Sequence, residues 1–245
     1  MTDSNPQSTS ASPAPTHRPA ETVLGVALDM DGLLFDTERL YWDVGDRLLT
    51  ERGRRFCAEL QQRMMGRIGV AAIQEMIDFH SLDDDPHELL AQSDAIYSEL
   101  LGAGPQEMFG MPQLIETLRE RSIPFGIATS SRAKFALRIL KAQPWYDSLH
   151  FVLTGDDVRH GKPHPEMYHK AADRLGIAPS RMLVLEDSGN GSAAGVAAGA
   201  VVIAVPTPHT RHHAFANVHA IAESLADPVI YRLLRAEVSE ASQKR

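Results

Sequence analysis

An apolar run at residues 23–28 ends in Asp29-Met30-Asp31-Gly32, so two carboxylates stand one residue apart where a strand would stop. Side chains alternate along an extended chain, which would aim Asp29 and Asp31 to the same side. Like charges so placed repel, and the site tolerates them cheaply only with a cation or proton between them. Later apolar runs also end in polar residues, each of a different kind. Residues 123–128 lead into Thr129-Ser130-Ser131, which offer a hydroxyl and backbone N–H groups at the head of a helix predicted over 132–140, a ready anion site. The run at 151–153 is followed by Gly161-Lys162-Pro163, and residues 182–185 deliver Glu186-Asp187 beside the glycine-rich Ser188-Gly189-Asn190-Gly191. Acidic pairs, a lysine and neutral donors are the parts needed to handle a phosphoryl group beside a hard cation.

Bringing these residues together needs a scaffold, and the chain has the pattern of one. Short apolar strands at 23–28, 123–128, 151–153, 182–185 and 201–205 alternate, in the second half, with helical spacing. Such alternation predicts an α/β fold, a Rossmann-like parallel sheet with helices on both faces. Pro112 and Pro165 sit where a first-turn proline is tolerated, Gly176 and Gly199 read as helix stops, and Asp227-Pro228 opens a last helix. Residues 37–104 contain no strand pattern, only helical spacing such as Leu40, Val44 and Leu48. A parallel crossover does not need that length, so the stretch reads as an inserted helical cap, with 21–36 and 105–245 forming the core. An insertion placed directly after the first acidic motif lies above the crevice where open α/β sheets bind ligands, positioned as a lid.

Composition narrows the partners. The 245 residues carry a net charge of -8 with no Lys/Arg run, which argues against nucleic acid or an anionic membrane surface. No stretch approaches the roughly 20 apolar residues that span a bilayer. The single cysteine, Cys57, excludes an internal disulfide and fits a reducing, cytoplasmic setting. Residues 1–20 are rich in Ser, Pro, Thr and Ala and read as a disordered tail. The expected assembly is a monomer or weak homo-oligomer.

The ordered set of DMDGLLFDTERLY, IPFGIATSS, GDD with HGKPHPEMY, and LVLEDSGNG resembles the haloacid dehalogenase superfamily, over about residues 22–205. Each motif is weak alone and specific as a set. An insertion after the first motif is similar to the branch with a small helical cap that includes β-phosphoglucomutase, and the motifs most resemble pseudouridine-5'-phosphatase-like and sugar-phosphate phosphatases. The resemblance implies a Mg²⁺-dependent phosphatase acting on a small phosphorylated metabolite. A phosphosugar mutase is the alternative, and a phosphometabolite-binding protein without turnover is a third reading.

The chemistry gives each residue a role. Asp29 would attack phosphorus and form an aspartyl-phosphate, while Asp31 would protonate the leaving oxygen and later take a proton from water. Mg²⁺ would be held by the Asp29 and Asp187 side chains and the Asp31 carbonyl, with Glu186 behind them. Lys162, the Thr129 hydroxyl and the Ser130 amide would take the phosphoryl oxygens. Glu38 and Arg67 are candidates to face the leaving group. Tyr41 stands where β-phosphoglucomutase has a cap histidine, and Gly69 where it has a phosphate-binding arginine; both differences favour hydrolysis over mutation. The glycines around Gly189 have the wrong spacing for a dinucleotide fingerprint, and Gly155 to Lys162 the wrong spacing for a phosphate loop. Asp83-Asp84-Asp85 reads as a solvated loop entering a helix at Pro86, and His209, His212 and His213 as surface residues.

Overall fold

The computed structural model describes residues 22–64, 67 and 69–234; the expected tail at 1–20 lies outside them. The first strand, β1 (Gly25–Leu28), is buried along its whole length. Its pleat divides the interior: Val26 and Leu28 join one apolar cluster and Ala27 the other. A short β2 (Phe35–Asp36) then leads into four helices, α1 (Glu38–Thr50), α2 (Ala58–Met64), α3 (Val70–His80) and α4 (Pro86–Leu100). The chain returns through β3 (Gln106–Glu107), antiparallel to β2, with Phe35 opposite Glu107 and Asp36 opposite Gln106. A two-residue strand is too short to show a period, so β3 has no sequence signature. Its effect is to clamp the two ends of the helical insertion side by side.

The second half alternates through α5 (Met111–Glu120), β4 (Phe125–Ala128), α6 (Ala133–Leu140), β5 (Val152–Leu153), α7 (Glu166–Leu175), β6 (Met182–Glu186), α8 (Gly189–Ala197), β7 (Val201–Ala204), β8 (Ala220–Ile221) and α9 (Pro228–Leu234). Six strands form one parallel sheet in the order β5-β4-β1-β6-β7-β8. Residues of α5, α6 and α9 cover the Val26/Leu28 face, and residues of α7 and α8 cover the Ala27 face. The α/β expectation holds, with β8 as a strand that the sequence pattern did not show. β1 has β4 on one side and β6 on the other, so the order of strands reverses there and a crevice opens at the carboxyl ends.

Local chemistry sets the helix ends. Asp85 caps α4, accepting the His87 and Glu88 N–H groups at 2.9 and 3.0 Å, with Pro86 as the first helical residue. The acidic run is more anchored than a solvated loop, because Arg52 grips Asp84 at 2.7 Å. Gly176 takes φ 67 to stop α7, as its type suggests. Thr129 does not open α6. That helix starts at Ala133, whose N–H donates to Asp156 Oδ2 at 2.9 Å, so a neighbouring loop supplies the acceptor and the Thr129 hydroxyl is left for another purpose.

Candidate active site

β1 ends at Leu28, and its end matters for the acidic pair. Alternation no longer governs residues 29–31, and the two carboxylates part. Asp29 turns to Lys162, whose Nζ donates to Oδ1 at 2.5 Å. Asp31 accepts three hydroxyl hydrogen bonds: from Thr37 at 2.8 Å, Thr129 at 2.8 Å and Ser131 at 2.7 Å. The expectation that both point one way with a cation between them is therefore replaced by a division. Asp29 meets a fixed positive charge, and Asp31 meets neutral donors.

Lys162 is the hub. Its buried ammonium donates to Asp29, to Glu186 Oε1 at 2.6 Å and to the Ala128 carbonyl at 2.7 Å, which uses all three of its protons. The surrounding carboxylates hold its pKa well above the usual lysine value despite burial. Glu186 closes β6 and is fully buried. Its Oε1 also accepts from the Tyr168 hydroxyl at 2.8 Å, and its Oε2 from the Ser188 N–H and hydroxyl at 3.2 and 3.0 Å. With four protein donors, Glu186 is engaged in fixing the lysine. Gly191 has no alternative beside it, since a Cβ there would stand 1.8 Å from Glu186 Oε1.

Oxygen atoms of Asp29, Glu186 and Asp187 all lie within 4.8 Å of one another. Asp31 adds a fourth carboxylate nearby, and Lys162 is the cation that the described residues set against them. Burial first, then the charges of Glu186 and Asp31, push the Asp29 carboxyl up to about 8, although Lys162 pulls it down. An all-oxygen set with surplus negative charge fits a hard divalent cation such as Mg²⁺. Gly32 lets the Asp187 carboxylate lie close against the backbone: the residue has φ +76, and a Cβ would come within 2.6 Å of Asp187 Oδ2. Gly32→Ala should cost about 1–2 kcal/mol of stability and displace the Asp187 carboxylate. A Mg²⁺ titration of activity should show a higher half-saturation point for this variant; an unchanged titration would contradict the displacement.

Six of the sequence candidates, Asp29, Asp31, Thr129, Lys162, Glu186 and Asp187, thus converge on one edge of the sheet. Ser130 adjoins them as an exposed residue of the loop after β4. Arg67 does not join them: its guanidinium bonds Glu75 at 3.2 Å and the Arg63 carbonyl at 2.9 Å, within the insertion. The Glu38 side chain lies outside what is described. Thr37, Ser131, Tyr168 and Ser188 were not singled out by sequence. Thr37 and Ser131 sit close to the motifs and carry hydroxyls, the one signal available, whereas nothing local marks Tyr168 as reaching Glu186. The insertion touches the core through Asp94 on α4, which pairs with Arg132 and, at 2.6 Å, with Lys134. His213 accepts the Gly189 N–H at 3.2 Å, so one of the three loop histidines is tied to the start of α8.

Residues 26–205 match the haloacid dehalogenase-like hydrolase family. A phosphorylated carbohydrates phosphatase of Thermotoga maritima is 33% identical over 71% of this chain and 81% of its own length. A probable pseudouridine-5'-phosphatase of Drosophila melanogaster is also 33% identical, over 81% of this chain and 88% of its own. Among solved structures, a family hydrolase from Deinococcus radiodurans R1, with bound phosphate and sodium, superimposes with a TM-score of 0.67 and 26% identity, covering 82% of this chain and 90% of that one. With the motif residues assembled at the sheet edge and these relatives beside it, the chain belongs to the haloacid dehalogenase-like hydrolases, as a phosphoric monoester hydrolase.

Proposed function

We propose that the protein is a Mg²⁺-dependent phosphatase that hydrolyses a small phosphorylated metabolite, of the sugar-phosphate or nucleotide type, through an aspartyl-phosphate on Asp29. The observation that carries this reading is the split environment of the acidic pair. Asp29, held by Lys162 at the end of a buried strand, has one orientation toward the crevice, as a nucleophile needs. Asp31, ringed by three hydroxyls, can give and take a proton because hydroxyls rotate to donate or accept.

In the first step an Asp29 oxygen forms a bond to phosphorus while the ester P–O bond breaks, and Asp31 gives its proton to the departing oxygen. In the second, Asp31 takes a proton from water as that water attacks the aspartyl-phosphate, and Asp29 leaves as a carboxylate. Lys162 and the Ser130 N–H stabilise negative charge on the phosphoryl oxygens, and Thr129 holds Asp31 in place while facing the same group. Asp29, Asp187 and the Asp31 carbonyl would hold the cation, with Glu186 anchoring Lys162 behind. When bound, Mg²⁺ supplies the charge neutralisation that lets an anionic carboxylate approach an anionic ester. Helices α1–α4 serve as the cap, hinged at the clamped strands β2 and β3 and near 102–105, closing over the crevice to exclude water.

The test is release of inorganic phosphate from a panel of sugar phosphates and nucleotides, pseudouridine monophosphate included, with Mg²⁺ and with EDTA. Expected is Mg²⁺-dependent release from at least one of them. Binding without turnover, or an isomeric product stimulated by a sugar bisphosphate without net phosphate release, would overturn the reading.

A second expected result concerns pH. Asp29 has a folded pKa of about 8 against the ordinary 3.8. Its ionisation therefore opposes the fold increasingly as pH rises between those values, and the penalty is complete above them. A divalent cation relieves that penalty and competes with the proton. Mg²⁺ should raise the melting temperature more near pH 8.5 than near pH 6; an equal rise at both would contradict this account.

A further inference from the structure

Glu186 lies close enough to Asp29 and Asp187 to share a cation with them, since oxygens of all three stand within 4.8 Å of one another. Two oxygens bound to one Ca²⁺ at about 2.3–2.6 Å are separated by no more than about 5 Å, so distance alone does not keep Glu186 out. Its hydrogen bonds do. An ionised carboxylate offers about four lone-pair sites. Oε1 accepts from Lys162 Nζ at 2.6 Å and from the Tyr168 hydroxyl at 2.8 Å, and Oε2 from the Ser188 N–H at 3.2 Å and hydroxyl at 3.0 Å. Every lone-pair site thus faces a proton donor.

Two of those donors are hydroxyls that packing does not require. Tyr168, on α7, is fully buried in the apolar cluster that contains Ala27 and Val184, and its ring faces the Lys162 ammonium, 5.2 Å from the centroid. Phenylalanine would serve the cluster and the ammonium equally well, so what only the hydroxyl supplies is a proton aimed at Glu186. Ser188 repeats the arrangement on the other oxygen. Its hydroxyl accepts the Gly191 N–H at 3.1 Å, which leaves its proton for Glu186. The α8 backbone at Gly191 stands against the same carboxylate, where a Cβ would come within 1.8 Å of Oε1, so the group is confined as well as saturated.

The number of carboxylates left over decides which hard cation fits. Mg²⁺ keeps several waters and is bound by one or two carboxylates, whereas Ca²⁺ takes about 6–8 oxygens and gains from an added carboxylate. With Glu186 withdrawn, Asp29 and Asp187 are the side chains of this cluster left to a cation. We propose that Tyr168 and Ser188 are positioning residues that set the choice of cation: their hydroxyls occupy Glu186, keep it from becoming a third carboxylate ligand, and so favour Mg²⁺ over Ca²⁺. The proposal rests on the cation-dependent reading above.

Calorimetric titration of Mg²⁺ and of Ca²⁺ into wild type and Tyr168→Phe, without substrate, tests it. Freeing Oε1 should lower the ratio of the Ca²⁺ to the Mg²⁺ dissociation constant about tenfold, chiefly through tighter Ca²⁺ binding. Ser188→Ala should shift the ratio the same way through Oε2. A hydroxyl with only a structural role predicts that both affinities fall together, and an unchanged ratio would overturn the proposal. Should Tyr168→Phe fail to fold, Ser188→Ala, which keeps the backbone N–H on Oε2, decides by the same criterion. Turnover gives a second readout: Ca²⁺ should compete with Mg²⁺ at about tenfold lower concentration in Tyr168→Phe than in wild type. A shifted ratio in a protein that hydrolyses none of the esters would remove the phosphatase reading alone. Binding of neither cation would overturn the proposal, and phosphate release in EDTA would then leave a phosphatase that needs no cation.

Discussion

Asp29→Asn protein should release phosphate at least about 10³-fold more slowly than wild type on every monoester that wild type accepts. The amide keeps the shape of the side chain and its contact with Lys162, but it lacks the electron pair that bonds to phosphorus. The same variant should fold at least as well as wild type. Burial and the neighbouring Glu186 and Asp31 charges already push this carboxyl up to about 8, so the fold prefers an uncharged group at position 29. Removing the charge relieves repulsion among the four clustered carboxylates. Loss of activity with an unchanged or raised melting temperature is therefore the expected pair of results. Retained Mg²⁺-dependent turnover would remove the covalent mechanism; a fall in both would mean that the Lys162 ion pair dominates the stability of the site.

Lys162→Met should have the largest effect on stability. The side chain is 5% exposed and bridges Asp29 and Glu186, themselves 8% and 1% exposed. Methionine fills similar volume without the charge, and removing one partner of a buried ion pair typically costs about 3–5 kcal/mol. The loss should depend on pH in a defined direction. Without the ammonium, Asp29 is driven further toward its neutral form, so at low pH protonation limits the damage. Toward high pH Asp29 ionises without its partner, and the variant weakens relative to wild type. Chemical denaturation at about pH 6 and pH 9 measures the difference; equal destabilisation at both would show that packing, not charge, is the cause. Turnover should also fall by about 10²–10³-fold, because the phosphoryl oxygens lose their fixed positive partner.

The two effects rest on residues whose importance was legible in different degrees. Asp29, Asp31, Glu186 and Asp187 could be named without coordinates, because each acidic pair ends an apolar run and parallel strands bring their carboxyl ends to one edge, whereas Lys162 comes in a loop well after the run at 151–153. The sheet itself was legible for the same reason: buried parallel strands are continuous apolar segments. β2, β3 and β8 were not, being two residues each. Thr129 was read as the head of a helix, and the structure assigns that place to Asp156, which comes from a loop 23 residues away from the Ala133 it caps.

What the chain carries in its order of residues is the inventory of the site: two acidic pairs, a lysine and a hydroxyl loop, each tied to a strand end whose neighbours are local. Tertiary structure decides how that inventory is shared out. Once β1 stops at Leu28, the direction of Asp29 and Asp31 depends on the groups that other strands bring, Lys162 to one and Thr37, Thr129 and Ser131 to the other. Tyr168 on Glu186 and Tyr97 on Tyr41 are likewise contacts between separate elements. Hydrophobic periodicity is a property of neighbours along the chain, whereas hydrogen bonds and ion pairs between strand ends exist only after the sheet has formed.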